Sequence, residues 1–241
     1  MENIILHIPH STPCTDFSKW DQSDIEEVRR EHDKWTDWHT DAIFGDLSDS
    51  NKGRVKKVVF NRSRYEVDTE RLIGDPMEDI GQGAIYRSLK EDRSVRRHIS
   101  VPDSLEYTRA YVSHWSRVVS LCKGDGLLID CHSFPCDYSE SGNTHGDPVD
   151  DAVDVCIGFN DDDTYPGDRV ISIIRDSFEA AHYKVGINLP FSNSFAPVPG
   201  FPSVMIELCK ALYMDEDTLK LLSGAYKVNQ LLNDIYRKLL D

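Results

Sequence analysis

Two histidines and a glutamate stand in three apolar runs that lie far apart in the chain. The run Ile4-Ile5-Leu6-His7-Ile8-Pro9 leads to His10, Leu127-Leu128-Ile129 leads to Asp130 and His132, and Ser203-Val204-Met205-Ile206 carries Glu207 inside it. Short apolar runs bounded by turn residues read as buried strands. In open α/β sheets, ligands bind beyond the carboxyl ends of the strands. Two imidazoles and a carboxylate delivered there from distant parts of the chain point to a metal site with a general base. A carboxylate within Val-Met-Ile-Glu-Leu is costly to bury unless it is paired or used. Each residue alone also has a plain reading: a histidine after a strand is commonly a loop residue, and a buried glutamate is commonly half of a structural ion pair.

Other groups could join such a site. Asp33, Asp37 and Asp41 are spaced i, i+4, i+8, which puts them on one face if the segment is helical; a solvated face is the simpler account. Asn61 to Arg71 mixes arginines with acids directly after an apolar strand. Guanidinium groups bind carboxylates bidentately, so a carboxylate-bearing ligand is one reading and a surface ion-pair network the other. Cys131-His132-Ser133 raises a nucleophilic alternative, but neighbouring strand residues face opposite ways and share a proton badly. His145-Gly146-Asp147 sits in a polar loop that could cover a site. Asp161-Asp162-Asp163 reads as a solvated turn.

The elements that must position these groups follow from hydrophobic pattern. Strands are expected at Ile4–Ile8, Val55–Phe60, Leu127–Ile129, Val153–Gly158, Tyr183–Ile187 and Ser203–Leu208. Helices are expected at Asp24–Phe44, Leu105–Leu121, Asp168–His182 and Thr218–Leu240, with Gly124-Asp125-Gly126 as a stop. The alternation gives an α/β sheet with helices on both faces. With no repeat or linker, residues 1–241 read as a single domain.

Composition narrows the partners. The 241 residues include 42 acidic and 27 basic ones, a formal charge of −15, and the calculated pI is near 4.9. That balance disfavours nucleic acid and anionic membrane surfaces, both of which need clustered Lys and Arg. No apolar run reaches the roughly 20 residues of a membrane span. The start of the chain lacks a basic region followed by a long apolar one, so a cytoplasmic location is the expectation. Six scattered cysteines, with no CxxC pair, read as mostly reduced and buried rather than as a disulfide framework.

Six segments, in order, resemble the N-formylglutamate amidohydrolase family. They are Ile8-Pro9-His10-Ser11, Thr36-Asp37-Trp38-His39, Ser63-Arg64 through Asp68 and Arg71, Leu128 to Ser133, Gly158-Phe159-Asn160, and Ile206-Glu207-Leu208. The resemblance implies a metal-dependent amidohydrolase with a central mixed sheet, phosphorylase/hydrolase-like and related to zinc carboxypeptidases and aspartoacylase. It implies His10, Asp37 and His132 as ligands of one Zn²⁺, with Asp33, one turn away, an open alternative to Asp37. Glu207 would be the catalytic proton carrier. Arg64 would polarise the scissile carbonyl, or with Arg71 bind the substrate carboxylate; Asn160 and Asn188 would also contact substrate. Asp130 and Asp68 would orient ligands. The implied substrate is a small anionic acyl amino acid such as N-formylglutamate. The run Asn188 to Pro197 lacks the arginine of the family's Gly-Gly-Tyr-Ile-Thr-Arg stretch, which leaves other N-acyl amino acids, a small peptide, or binding without turnover as alternatives.

Overall fold

The computed structural model describes residues 1–90, 92–137 and 153–241; the His145-Gly146-Asp147 segment lies outside them. The chain forms two compact units, one of residues 1–8, 39–58 and 118–241, the other of 9–38 and 59–117.

The first unit holds a six-stranded sheet of order β2-β1-β3-β6-β4-β5. The strands are β1 (Asn3–Ile8), β2 (Val55–Val59), β3 (Gly126–Phe134), β4 (Val155–Gly158), β5 (Val185–Ile187) and β6 (Ser203–Cys209). β3 pairs in parallel with β1 and β6, and β4 runs antiparallel to β6, so the sheet is mixed. All nine residues of β3 are buried, as expected of a strand covered on both faces. β3 is longer than its apolar run suggests. Asp130 and His132 lie within it, because β6 keeps pairing with it out to Phe134↔Cys209.

Helices cover both faces. On one, Ile5 and Leu128 pack with Val118 and Cys122, at and just beyond the end of α3 (Val101–Leu121), and with Phe201. Each fully buried aliphatic side chain here contributes about 1.5–3 kcal/mol. After α3, Gly124 turns the chain into β3 with φ +67°. On the other face lies α5 (Gly224–Leu240), which packs against β1, α2 (Thr40–Ile43) and α4 (Asp168–Ala180). It buries Val228, Leu232, Ile235, Tyr236 and Leu239 at helical spacing. The helix expected from Thr218 starts only at Gly224. A β-carbon on Gly224 would lie 2.1 Å from the Leu212 carbonyl oxygen. The preceding residues form a hairpin of β7 (Met214–Asp215) and β8 (Lys220–Leu221), with Leu219 at φ +56°.

The second unit has little regular structure. Its cores are aromatic: Trp20, Tyr65 and Tyr86 pack with Val28, Leu89 and Val95, and Phe60, Tyr107 and Tyr111 with Val67 and Ala84. The polar stretch after Arg71 is tied down by isolated bridges, Val67↔Ile85 and Ser88↔Arg96 among them. The buried Arg97 braces it by donating to the carbonyls of Glu66 and Tyr86. The long helix expected over Asp24–Phe44 is broken here. α1 (Ile25–Trp35) ends at Thr36, which is extended (φ −73°, ψ 132°), and His39 has φ +66° before α2. Asp33, Asp37 and Asp41 therefore do not share one helix face.

The cysteines depart from the sequence reading in one pair. Cys136 and Cys209 form a disulfide with 5.6 Å between α-carbons. The Phe134↔Cys209 register brings together two residues 73 apart, which spacing could not reveal. Cys14 is exposed, whereas Cys122, Cys131 and Cys156 are free and buried. Burial raises the Cys122 thiol to about 11; burial and the Glu207 carboxylate raise Cys156 to about 12. Thiolate is the reactive form, so iodoacetamide at pH 8 is expected to add to Cys14 alone in the native protein. Intact-mass analysis of wild type beside Cys14→Ser checks this. Fast labelling of Cys131 would instead revive the nucleophilic reading.

Candidate active site

In the second unit the site begins at His10, two residues past β1. It is 1% exposed, and its Nε2 lies 3.0 Å from Asp68 Oδ1. Burial alone would raise the Asp68 carboxyl, but His10 and the Arg64 guanidinium outweigh it and hold Asp68 far below the ordinary carboxylate range. An ionised carboxylate only accepts hydrogen bonds, so His10 Nε2 is the donor and, in the neutral ring, Nδ1 carries the lone pair. That nitrogen lies 3.8 Å from Asp37 Oδ2. The Asp37 N–H donates to the His10 carbonyl, which fixes the two residues together.

An imidazole nitrogen and a carboxylate oxygen are both donor types that zinc takes. Two ligands on a tetrahedral zinc lie about 3.4 Å apart, close to the observed spacing, so His10 and Asp37 fit as two ligands of one ion. The carboxylate alternatives separate by burial. Asp37 is buried, whereas the Asp33 side chain is half-exposed and paired with His32 Nδ1. The break in the helix after Trp35 accounts for the difference.

Arg64 Nη2 donates to Asp68 Oδ2 at 3.1 Å. Burial would lower its pKa, but Asp68, Tyr86 and Asp37 outweigh that and raise it well above the ordinary value. Arg71 adds its charge to the field on Asp68, and its carbonyl accepts from the Tyr111 hydroxyl. Glu70 Oε2 lies 3.7 Å from His10 Nε2, a neighbour that the sequence reading did not single out.

In the first unit a second carboxylate holds a second histidine. His132 Nε2 lies 3.0 Å from Asp130 Oδ1. The same oxygen takes His7 Nδ1 at 2.8 Å, and Asp130 Oδ2 accepts the Phe195 N–H at 3.0 Å. Burial opposes ionisation of Asp130, but His132 and His7 outweigh it and the carboxyl sits well below its usual range. Glu207 is half-buried and stands directly opposite His132 in the β3/β6 ladder. Opposed residues in a ladder project to the same face, so Asp130, His132 and Glu207 share one side of the sheet. Cys131 projects to the other side, and its thiol donates to the Ile129 carbonyl. Burial and the neighbouring Asp130 raise that thiol well above its ordinary value, so it is a poor nucleophile.

Asn160 and Asn188 are not part of either constellation. Asn160 donates to Thr164 Oγ1 and the Ser194 carbonyl and accepts from the Ser194 N–H. Asn188 Oδ1 accepts the Phe159 N–H. Both brace the segment that follows β5. His7, by contrast, shares Asp130 with His132 and was missed as an ordinary strand residue. A signal for it exists: β1 and β3 each have three apolar residues before an ionisable one, and they pair in that register, Ile4↔Leu127 through His7↔Asp130.

The fold is similar to the crystal structure of N-formylglutamate amidohydrolase from Ralstonia eutropha JMP134. The TM-score is 0.67, with 17% identity, covering 98% of this chain and 92% of that one. It is also similar to gene product Atu2144 from Agrobacterium tumefaciens, with TM-score 0.61 and 15% identity, covering 100% and 92%. No curated protein sequence gives a significant match. Identities this low speak for the fold alone. The sequence itself goes further, since the family model for N-formylglutamate amidohydrolase matches residues 2–214. The chain therefore belongs to the N-formylglutamate amidohydrolase family.

Proposed function

We propose that this protein hydrolyses the amide bond of an N-acyl amino acid, with N-formyl-L-glutamate and water giving formate and L-glutamate. In this reading His10, Asp37 and His132 hold one Zn²⁺. The observation that carries it is the matched pair of imidazole–carboxylate contacts, His10 on Asp68 and His132 on Asp130. Metal-ligating histidines characteristically donate their other ring N–H to a carboxylate, which fixes the tautomer and strengthens the ligand. Nδ1 of each ring is then the nitrogen assigned to the metal. When bound, zinc polarises the scissile carbonyl and brings the pKa of its water toward about 7.

The remaining steps belong to the protein. Glu207 takes a proton from the attacking water and passes it to the leaving nitrogen. Arg71 binds the substrate carboxylate. Arg64 acts through Asp68, holding that carboxylate ionised against His10. Asn160 and Asn188 shape the wall beside the substrate by bracing the segment from Asn188 to Ser194.

That segment has no arginine, which favours a wider substrate range than N-formylglutamate, including other N-acyl amino acids or a small peptide. The test combines elemental analysis of the purified protein with assays of N-formyl and N-acetyl derivatives of glutamate and leucine. About one zinc per chain and release of the free amino acid are expected. No metal after incubation with zinc would overturn the reading. Zinc with tight acyl amino acid binding but no hydrolysis would make the protein a binding relative.

A further inference from the structure

We infer that His7 is a positioning residue that acts through Asp130 to set the orientation of His132. The inference rests on the metal role proposed for His132. His7 is fully buried in the central part of the sheet, where an imidazole is costly unless its polar atoms are used. Two imidazole nitrogens converge on the single oxygen Asp130 Oδ1, His7 Nδ1 at 2.8 Å and His132 Nε2 at 3.0 Å, and a ring N–H donates to a carboxylate oxygen. The Phe195 N–H supplies a third donor, on the other oxygen.

The carboxylate is thus held from three directions. His7 is the donor from β1, across the strand pair from Asp130. The Phe195 ring stacks on His7, with centroids 4.3 Å apart and planes at 23°, and so fixes the plane of the imidazole. Neither His7 Nδ1–H nor Phe195 N–H can follow if Asp130 rotates, because one belongs to a packed strand and the other to the main chain. With His7 in place, Asp130 presents Oδ1 to His132 in one geometry. The His132 ring is thereby held in one plane through its Nε2 contact. Without His7, Asp130 loses one of its two Oδ1 donors and the restraint that holds the carboxylate plane.

Groups that support a metal ligand typically change metal affinity 10–100-fold when removed; His7 lies one contact further out, so the low end applies. His7→Leu is expected to weaken zinc binding about tenfold in a chelator-competition titration. KM should stay within about twofold, since His7 acts through Asp130 rather than on the substrate. His7→Asn places an amide N–H near the position of Nδ1 and is expected to restore zinc affinity to within about threefold of wild type. Should His7→Leu fail to fold, His7→Ser, too short to reach Asp130, carries the same expectation. Zinc-binding wild type with equal affinity in the Leu, Ser and Asn variants overturns the inference alone. Wild type that binds no zinc overturns the metal reading and this inference with it.

Discussion

Glu207→Gln protein is expected to keep its full metal content and lose about 10²–10⁴-fold in kcat, the usual contribution of a positioned proton carrier. Glutamine has nearly the shape of glutamate but cannot accept a proton from water at neutral pH. Glu207 stands opposite His132 in the ladder yet is only half-buried, so its carboxylate has a route to substrate that a sealed ion pair would lack. The same carboxylate, with burial, raises the Cys156 thiol to about 12. Metal content by elemental analysis and kcat by release of free amino acid separate the roles. If Glu207 is only a structural acid, activity per zinc stays within about threefold while the melting temperature falls. If it is the proton carrier, the melting temperature moves little and kcat collapses. KM should change less than kcat, because the proton moves in the transition state and not on binding.

Much of the sheet could be read from the chain because its strands are apolar runs closed by turn residues. β1, β3 and β6 have almost uniform burial, and in such strands hydrophobicity and position coincide. The ionisable residues then stand out against that background, which is how His10, Asp130, His132 and Glu207 emerged. Features set by backbone geometry or by contacts between distant residues stayed hidden. The helix over Asp24–Phe44 has unbroken helical composition, and its interruption comes from the extended Thr36 and the left-handed His39. Neither residue type announces such a conformation. The Cys136–Cys209 bond depends on the β3/β6 register. His7 looked like a strand residue because its partner lies 123 positions away. Arg64 and Asp68 were both singled out, but not as partners, although an i, i+4 pair is locally visible. Their segment is not a helix, so the helical rule gave no reason to join them.

Arg64 is where sequence and geometry give different expectations, and one substitution separates them. A substrate-binding arginine that is removed raises KM and leaves the fold intact. The geometry instead pairs Arg64 with Asp68, a carboxylate 1% exposed that also holds His10. Removing one partner of a buried pair strands the other charge, at a cost of about 3–5 kcal/mol. His10 and Arg71 still act on Asp68, so the low end applies. For a chain of this size, about 3 kcal/mol lowers the melting temperature by roughly 6–12 °C, and Arg64→Met is expected to show that drop at pH 7. The pH dependence has a definite sign. The folded pKa of Asp68 is depressed, so its stabilisation is complete above the unfolded value of about 3.9 and is lost as pH falls through the folded one. The gap between wild type and variant should therefore close as pH drops below about 4. Replacing both partners, as Arg64→Met with Asp68→Leu, removes the stranded charge and should recover part of the lost stability. Zinc affinity should still fall 10–100-fold in the double variant, because His10 has lost the carboxylate that orients it. An unchanged melting temperature in Arg64→Met with KM raised tenfold or more would put the guanidinium on the substrate instead.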